Sequence, residues 1–281
     1  MARFLDAIRS GRVLLMDGAM YTELHRAGLP EDECAELWNL TFPEKVREVH
    51  RSYVDAGAEV LLTNTFQANP AALAKHGLQQ EVGAINRAAV SIARQAAGPH
   101  RFVLASIGPV AEPTHDGARS LVSSLEGADG LLLETQTDVQ FLEMVLEANQ
   151  ERRGHLPILF SFTFLREPEG GLVTRNGLGP KECAVLIDRF PVTALGVNCG
   201  RDIGMEETIE IVRGYRHVTT LPLLARPNAG TPNVEGATWS FPQTAAAMAR
   251  KFPALIEAGA CLVGGCCGTT AEYIARWRPF V

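Results

Sequence analysis

The sequence predicts a (β/α)8 barrel, on two observations. Short apolar runs rich in Val, Leu, Ile and Phe recur eight times, and most of the intervals between them carry an amphipathic helical pattern. The polar residues of catalytic type, Asp17, Asn64, Glu134, Asn198, Cys199, Asn228, Cys266 and Cys267, fall at the C-terminal ends of these runs. In a barrel those ends form one rim, which is where barrel enzymes place their sites. A doubly wound open sheet is the alternative, but no Gly-x-Gly-x-x-Gly follows the first run.

The first strand is expected over 13–16. It leads to a helix over 43–56, in which Val46, Val49, Tyr53 and Val54 form one stripe and Lys45, Arg47, Glu48 and Arg51 lie off it. Thr41-Phe42-Pro43-Glu44 reads as the start of that helix and Ala56-Gly57 as its stop. A second strand over 60–66 is followed by a helix over 82–96, with Ile85, Ala89, Ile92 and Ala93 at helical spacing. After the third strand, 102–107, the prolines and glycines of 108–117 read as a loop. That leaves room only for a short helix over 119–126, so the third βα unit is shortened. Strands over 130–134, 158–164, 194–199, 223–228 and 261–266 then alternate with helices over 141–148, 181–189, 206–215 and 244–258. No repeat, low-complexity tract or linker interrupts the rhythm, and 1–281 reads as a single domain.

The composition, 46% hydrophobic and 21% charged, is that of a globular protein with one large core. A formal net charge of −6 provides no electrostatic attraction for nucleic acid or an anionic membrane surface. No apolar run is long enough to span a bilayer, and the first residues lack a secretory pattern, so the expected location is the cytoplasm. Six cysteines are too few for a disulfide scaffold in a chain of this size, and a reducing compartment suits thiolate ligands.

Three of those cysteines stand out: Cys199 in Gly196-Val197-Asn198-Cys199-Gly200, and the pair in Gly264-Gly265-Cys266-Cys267-Gly268-Thr269-Thr270. One pair and one distant cysteine cannot make a zinc ribbon. They can make an open three-thiolate zinc site if a barrel brings two strand ends together, and three protein ligands with a free fourth position is the catalytic arrangement. Inert packing, a redox pair and an accident of composition are the competing readings. Cys183 and Cys261 lie in helix-like and apolar runs and read as packing. Cys34 lies in an acidic stretch and reads as a spectator. Taken one at a time, Asp17-Gly18 reads as a turn, Glu134 as a helix cap and Asn228 as a turn residue after proline. His25, His50 and His76 read as bystanders, and Trp38 either covers the rim or packs.

The ordered set of motifs resembles the homocysteine S-methyltransferase family. These are zinc barrels that include the N-terminal domain of cobalamin-dependent methionine synthase, betaine–homocysteine methyltransferase and the enzymes that use S-methylmethionine. The resemblance runs along nearly the whole chain: Met16-Asp17-Gly18-Ala19-Met20, Asn39-Leu40-Thr41, Ala56-Gly57-Ala58-Glu59, Thr63-Asn64-Thr65-Phe66, Ser106-Ile107-Gly108-Pro109, Leu133-Glu134-Thr135, Gly196-Val197-Asn198-Cys199, Pro227-Asn228-Ala229-Gly230 and the Gly-Gly-Cys-Cys-Gly-Thr-Thr segment. It implies that Cys199, Cys266 and Cys267 bind zinc. It also implies that Asp17 and Glu134 hold the amino-acid end of homocysteine with Thr63 nearby, and that Asn228 lies close to the metal. The reaction implied is methylation of homocysteine to methionine, with the acceptor sulfur activated as a zinc thiolate.

Two departures bear on the methyl donor. The region after Pro109 is shorter than the family usually shows, so the rim there is expected to be open. Thr135 follows Glu134 where the betaine enzymes carry a tyrosine, which argues against betaine. The stretch 39–69 looks most like the methionine synthase domain, while Phe66-Gln67-Ala68 is similar to the S-methylmethionine enzymes. A chain of this length leaves no room for cobalamin and folate domains after the barrel. The expected donors are therefore a small onium compound, S-methylmethionine or S-adenosylmethionine, or a methyl-corrinoid protein supplied by another chain. The alternatives are a non-catalytic or repurposed zinc- or thiol-binding barrel, and a methyltransferase acting on another thiol.

Overall fold

The computed structural model describes residues 2–152, 155–235 and 238–281. Eight parallel strands carry the fold: β1 (Leu14–Leu15), β2 (Val60–Leu62), β3 (Phe102–Ile107), β4 (Gly130–Gln136), β5 (Ile158–Phe162), β6 (Ala194–Asn198), β7 (Leu223–Arg226) and β8 (Ala260–Val263). They are hydrogen-bonded in the order β1-β8-β7-β6-β5-β4-β3-β2. The two ends of that sheet meet through a parallel bridge between Met16 and Val60. Glu59 N donates to Leu15 O at 2.7 Å and Asp17 N to Val60 O at 2.9 Å, which closes the barrel.

Each strand leads to a helix on the outside: α1 (Pro43–Ala56), α2 (Val82–Ala97), α3 (His115–Ser124), α4 (Gln140–Gln150), α5 (Pro180–Ile187), α6 (Met205–Arg216), α7 (Ala245–Glu257) and α8 (Ala271–Trp277). The expected stop of α1 holds, because Gly57 takes φ 110°, a left-handed value that side chains resist. The helix after β3 starts at His115 rather than at 119. Thr114 caps it by accepting from Gly117 N at 3.1 Å, so the last residues of the expected loop are its first turn.

Strand alternation sorts the side chains into two cores. Outward residues such as Leu15, Leu61, Val103, Leu131, Leu133 and Phe160 pack against the helices. Inward residues Leu14, Met16, Val60, Leu62, Phe102, Leu104, Leu132, Leu159, Ala194, Leu224 and Leu262 fill the lumen. A helix over Ala2–Arg9, which the sequence reading did not anticipate, closes the lumen at the N-terminal ends of the strands. Its Phe4 ring lies 5.1 Å from that of Phe102, at the start of β3.

Several strands are shorter than expected at their C-terminal ends: β2 stops at Leu62, β7 at Arg226 and β8 at Val263. Pro227 lacks an N–H to extend the β7 ladder. Beyond β2, Thr63 and Thr65 hydroxyls take over the bonding to β3: Ser106 N donates to Thr63 Oγ1 at 3.1 Å and Thr65 Oγ1 donates to Ser106 O at 2.6 Å. The backbone is thereby released from the sheet at the residues that build the site.

Candidate active site

The period of two that puts Leu104, Leu132, Leu159, Gly196 and Leu224 in the lumen also puts Ser106, Glu134, Ser161, Asn198 and Arg226 there, one step nearer the C-terminal ends. These residues form a polar layer on top of the apolar filling. Its centre is Arg226 on β7, only 3% exposed. Nη1 of Arg226 donates to Glu134 Oε2 at 3.1 Å, and Nη2 donates to Asp17 Oδ1 at 3.2 Å and to Gly18 O at 3.1 Å. The guanidinium thus spans from the end of β4 to the loop after β1.

Both carboxylates are held from behind. Asp17 Oδ2 accepts from Leu62 N at 2.7 Å. Glu134 Oε1 accepts from the Ser106 hydroxyl. Asn198 fixes the turn after Glu134, since its Oδ1 accepts from Thr135 N at 2.8 Å and from Ser161 Oγ at 2.6 Å. Thr135 itself takes φ 62°, a costly conformation for a β-branched residue that this clamp supports. Burial pushes the Asp17 carboxyl up to about 7 despite the Arg226 charge beside it. Burial raises Glu134 as well, again opposed by Arg226. For Arg226, burial works against the charge, but Glu134 and Asp17 outweigh it and hold the group firmly protonated.

The three singled-out cysteines converge beside this layer. Their Sγ atoms lie within 4.8 Å of one another, with Cys199 and Cys267 3.7 Å apart. Among the described residues this is the one group of three or more potential ligands so arranged. Cys199 follows β6 with φ 57° and Gly200 with φ 108°, a left-handed pair that turns the chain at the thiol. The Cys266–Cys267 loop is pinned by Cys266 N to Pro227 O and Ala229 N to Cys267 O, both 2.9 Å. Gly268 (φ 80°) lies flat against the Phe241 ring, where any Cβ would collide. The thiols share protons: hydrogen bonds from Cys266 and Cys267 pull Cys199 well below its ordinary value, and bonding to Cys199 pushes Cys266 up to about 12.

The donor set fits zinc. A tetrahedral site with Zn–S of about 2.3 Å places sulfurs about 3.8 Å apart, close to the Cys199–Cys267 separation. Asn228 adds a candidate donor near by: Nδ2 donates to Gly200 O at 3.0 Å, while the buried Oδ1 has no partner.

Asp17, Thr63, Glu134 and the three cysteines all line one cavity of about 650 Å³. Asn228 does not line it and stands beside the Cys199–Gly200 turn instead. The Thr63 hydroxyl is taken up by Thr65 at 2.6 Å and by Ser106 N. Glu31, Glu33, Glu36, Lys75 and His76 form the outer wall, so His76, expected as a bystander, reaches the cavity. Glu36 and Asn64 bind the segments of that wall together: Glu36 Oε1 accepts from Gln67 N at 2.7 Å, and Asn64 Nδ2 donates to Ala35 O at 2.8 Å. No residue of the short segment after Pro109 lines the cavity. Trp38 is buried, its Nε1 bonded to Glu33 at 3.0 Å, and packs rather than covering the rim. Cys34, Cys183 and Cys261 stand apart from the metal cluster, although Cys34 lines the outer cavity. Arg226 was not singled out beforehand. Its signal was a lone cation in an apolar strand, which must be paired once buried.

The family model for homocysteine S-methyltransferase matches residues 14–281. Over 96% of its length the chain is 30% identical to a methionine synthase of Mycobacterium tuberculosis, of which it spans only 24%. It is 32% identical to a homocysteine S-methyltransferase of Escherichia coli, covering 95% of the chain and 94% of that protein. Among solved structures, the metallated form of the homocysteine methyltransferase MmuM from Escherichia coli superposes with a TM-score of 0.76 at 30% identity, covering 96% of each chain.

Proposed function

Since the chain belongs to the homocysteine S-methyltransferase family, we propose that it methylates homocysteine to methionine in this cavity, with zinc held by Cys199, Cys266 and Cys267. The observation that carries the reading is the convergence of three sulfurs from two strand ends beside a carboxylate pair. When bound, zinc supplies a thiolate acceptor at neutral pH, where a free alkyl thiol with pKa about 8.5 is only a few per cent ionised. Asp17 and Glu134 accept the ammonium group of the acceptor, Thr63 shapes the wall beside them, and Asn228 supports the Cys199 turn next to the metal. The single domain expected over 1–281 is this barrel, and its location is the cytoplasm, where thiols stay reduced. No helix among the described residues is long and apolar enough to cross a membrane.

The donor in this reading is a small onium compound, S-methylmethionine or S-adenosylmethionine. Glu31 and Glu33 on the outer wall favour a cation. A second reading, a methyl-corrinoid protein, is favoured by the likeness to a quarter of a methionine synthase.

The test is metal analysis and methyl transfer in one set of proteins. Wild type should hold one zinc and methylate homocysteine with at least one of S-methylmethionine, S-adenosylmethionine and methylcobalamin. Cys199→Ser, Cys266→Ser and Cys267→Ser should lose both properties, and Cys34→Ser, Cys183→Ser and Cys261→Ser should keep the metal. Glu134→Ala should keep its zinc and require at least tenfold more homocysteine. Full zinc in Cys266→Ser would refute the ligand set. A zinc-loaded wild type that methylates other thiols but not homocysteine would make it a methyltransferase of another acceptor, and one inert with every donor a non-catalytic barrel.

A further inference from the structure

Arg226 is an unusual floor for a site that takes an ammonium group. It lies between the two carboxylates assigned to that group and is bonded to both. Burying an ion triad of this kind carries a heavy desolvation cost before attraction repays it, and well-packed apolar residues do as well for stability. Of the five N–H groups of a guanidinium, three are engaged here, by Glu134, Asp17 and Gly18 O. Nε has no partner but is sealed off from the cavity, whereas Nη1 retains a second hydrogen on a residue that lines it.

The position of an amino-acid acceptor supplies a partner for that hydrogen. Its sulfur end belongs at the three thiols and its ammonium at Asp17 and Glu134. Ammonium and carboxylate share one Cα, so the carboxylate carbon lies only about 2.5 Å from the nitrogen. A carboxylate so placed meets the guanidinium that bridges the two acids. The other basic side chains of the cavity, Lys75 and His76, are exposed on its outer wall. A guanidinium N–H to a carboxylate makes a charge-assisted hydrogen bond, shorter and stronger than a neutral one.

Resting on the reading of the site as a homocysteine site, we propose that Arg226 determines acceptor specificity. Two of its N–H groups hold Glu134 and Asp17, a third holds Gly18 O, and the remaining hydrogen of Nη1 is offered to the acceptor's α-carboxylate. The site therefore selects an amino-acid thiol over an aminothiol of the same length.

The test compares L-homocysteine with 3-aminopropane-1-thiol, which lacks the carboxylate, and 4-sulfanylbutanoate, which lacks the amine. The zinc-loaded wild type should bind homocysteine by calorimetry, and turn it over in kcat/KM, ten- to hundred-fold better than 3-aminopropane-1-thiol, the range for a charge-assisted hydrogen bond. Arg226→Gln should bring that ratio to within about threefold while the ratio of homocysteine to 4-sulfanylbutanoate persists. Arg226→Lys should restore it in part. A wild type indifferent to the carboxylate overturns the proposal, as does a folded Arg226→Gln that keeps the wild-type ratio. If neither variant folds, a wild type that shows no preference still overturns the proposal. Binding that discriminates by the carboxylate in wild type and not in Arg226→Gln, without any methyl transfer, upholds the role of Arg226 and refutes the proposed reaction, so the two failures are told apart.

Discussion

His50, on the buried face of α1, is fully withdrawn from solvent, and neither ring nitrogen has a partner. Burial lowers its pKa from 6.5 to about 4, because no neighbour compensates a charged ring. The folded value lies below the unfolded one, so the unfolded chain binds the extra proton between the two. Stability is therefore present above pH 6.5 and is lost as pH falls towards 4, by about 2 kcal/mol at pH 5. His50→Leu should remove this part of the acid sensitivity. Denaturant titrations of wild type and variant at pH 7.5 and 5 check it, and an identical pH dependence in the two would show that His50 is not buried neutral. The residues of the floor follow a different logic. Ser106, Glu134, Asn198 and Arg226 continue the inward parity of their strands, so their direction was readable from Leu104, Leu132, Ala194 and Leu224 an even number of positions earlier. The resemblance pointed to Asp17, Thr63, Glu134 and Asn228 and not to Arg226. Asp17 breaks the parity, because the chain leaves the ladder after Met16 and only the closing contact with β2 aims its carboxylate inward.

At the scale of elements, the helix over Ala2–Arg9 does for the N-terminal end of the barrel what the polar layer does for the other. Phe4 and Ile8 are buried among the first inward residues of the strands, and Gly130 leaves room for the Phe4 ring. Phe4→Ala should cost about 3–5 kcal/mol, the range for emptying a buried aromatic site. It should leave zinc content unchanged, since the thiols lie beyond the opposite strand ends. Denaturant unfolding with metal analysis reads both, and a loss of metal at unchanged stability would contradict this division of the lumen. The strands and large helices were legible from their periodicity within a few residues. This helix was not, because its partners are lumen residues drawn from strands along the whole chain rather than neighbours in sequence. The start of α3 was misplaced for a local reason: a threonine cap at 114 outweighs the glycine at 117.

Across the whole molecule, the site joins parts of the chain that are distant in sequence. The loop after β1 and the ends of β4 and β7 supply the floor, and the ends of β6 and β8 supply the thiols. β7 lies between β6 and β8 in the sheet, so a metal held by all three cysteines ties two non-neighbouring strands across a third. Such a tie stabilises the folded state through binding linkage. Chelation of the zinc-loaded protein should lower its melting temperature by roughly 2–3 °C for each kcal/mol of linked stabilisation. Cys199→Ser should melt the same with and without chelator, which thermal melts at matched ionic strength will show. An equal drop in that variant would place the metal elsewhere.

The sequence by itself determined the barrel, through repeated apolar runs and amphipathic helices, and determined which cysteines could act together, through their glycine-flanked positions at strand ends. These are local or periodic properties, and they survive without coordinates. Only the tertiary structure decided that Arg226 bridges Asp17 and Glu134, that the Thr63 hydroxyl is already engaged, and that Asn228 stands beside the cavity rather than in it. Closure of the barrel brings the ends of β1, β4 and β7 across one lumen, and a buried charge takes whatever partner that closure delivers, at sequence separations no pattern encodes.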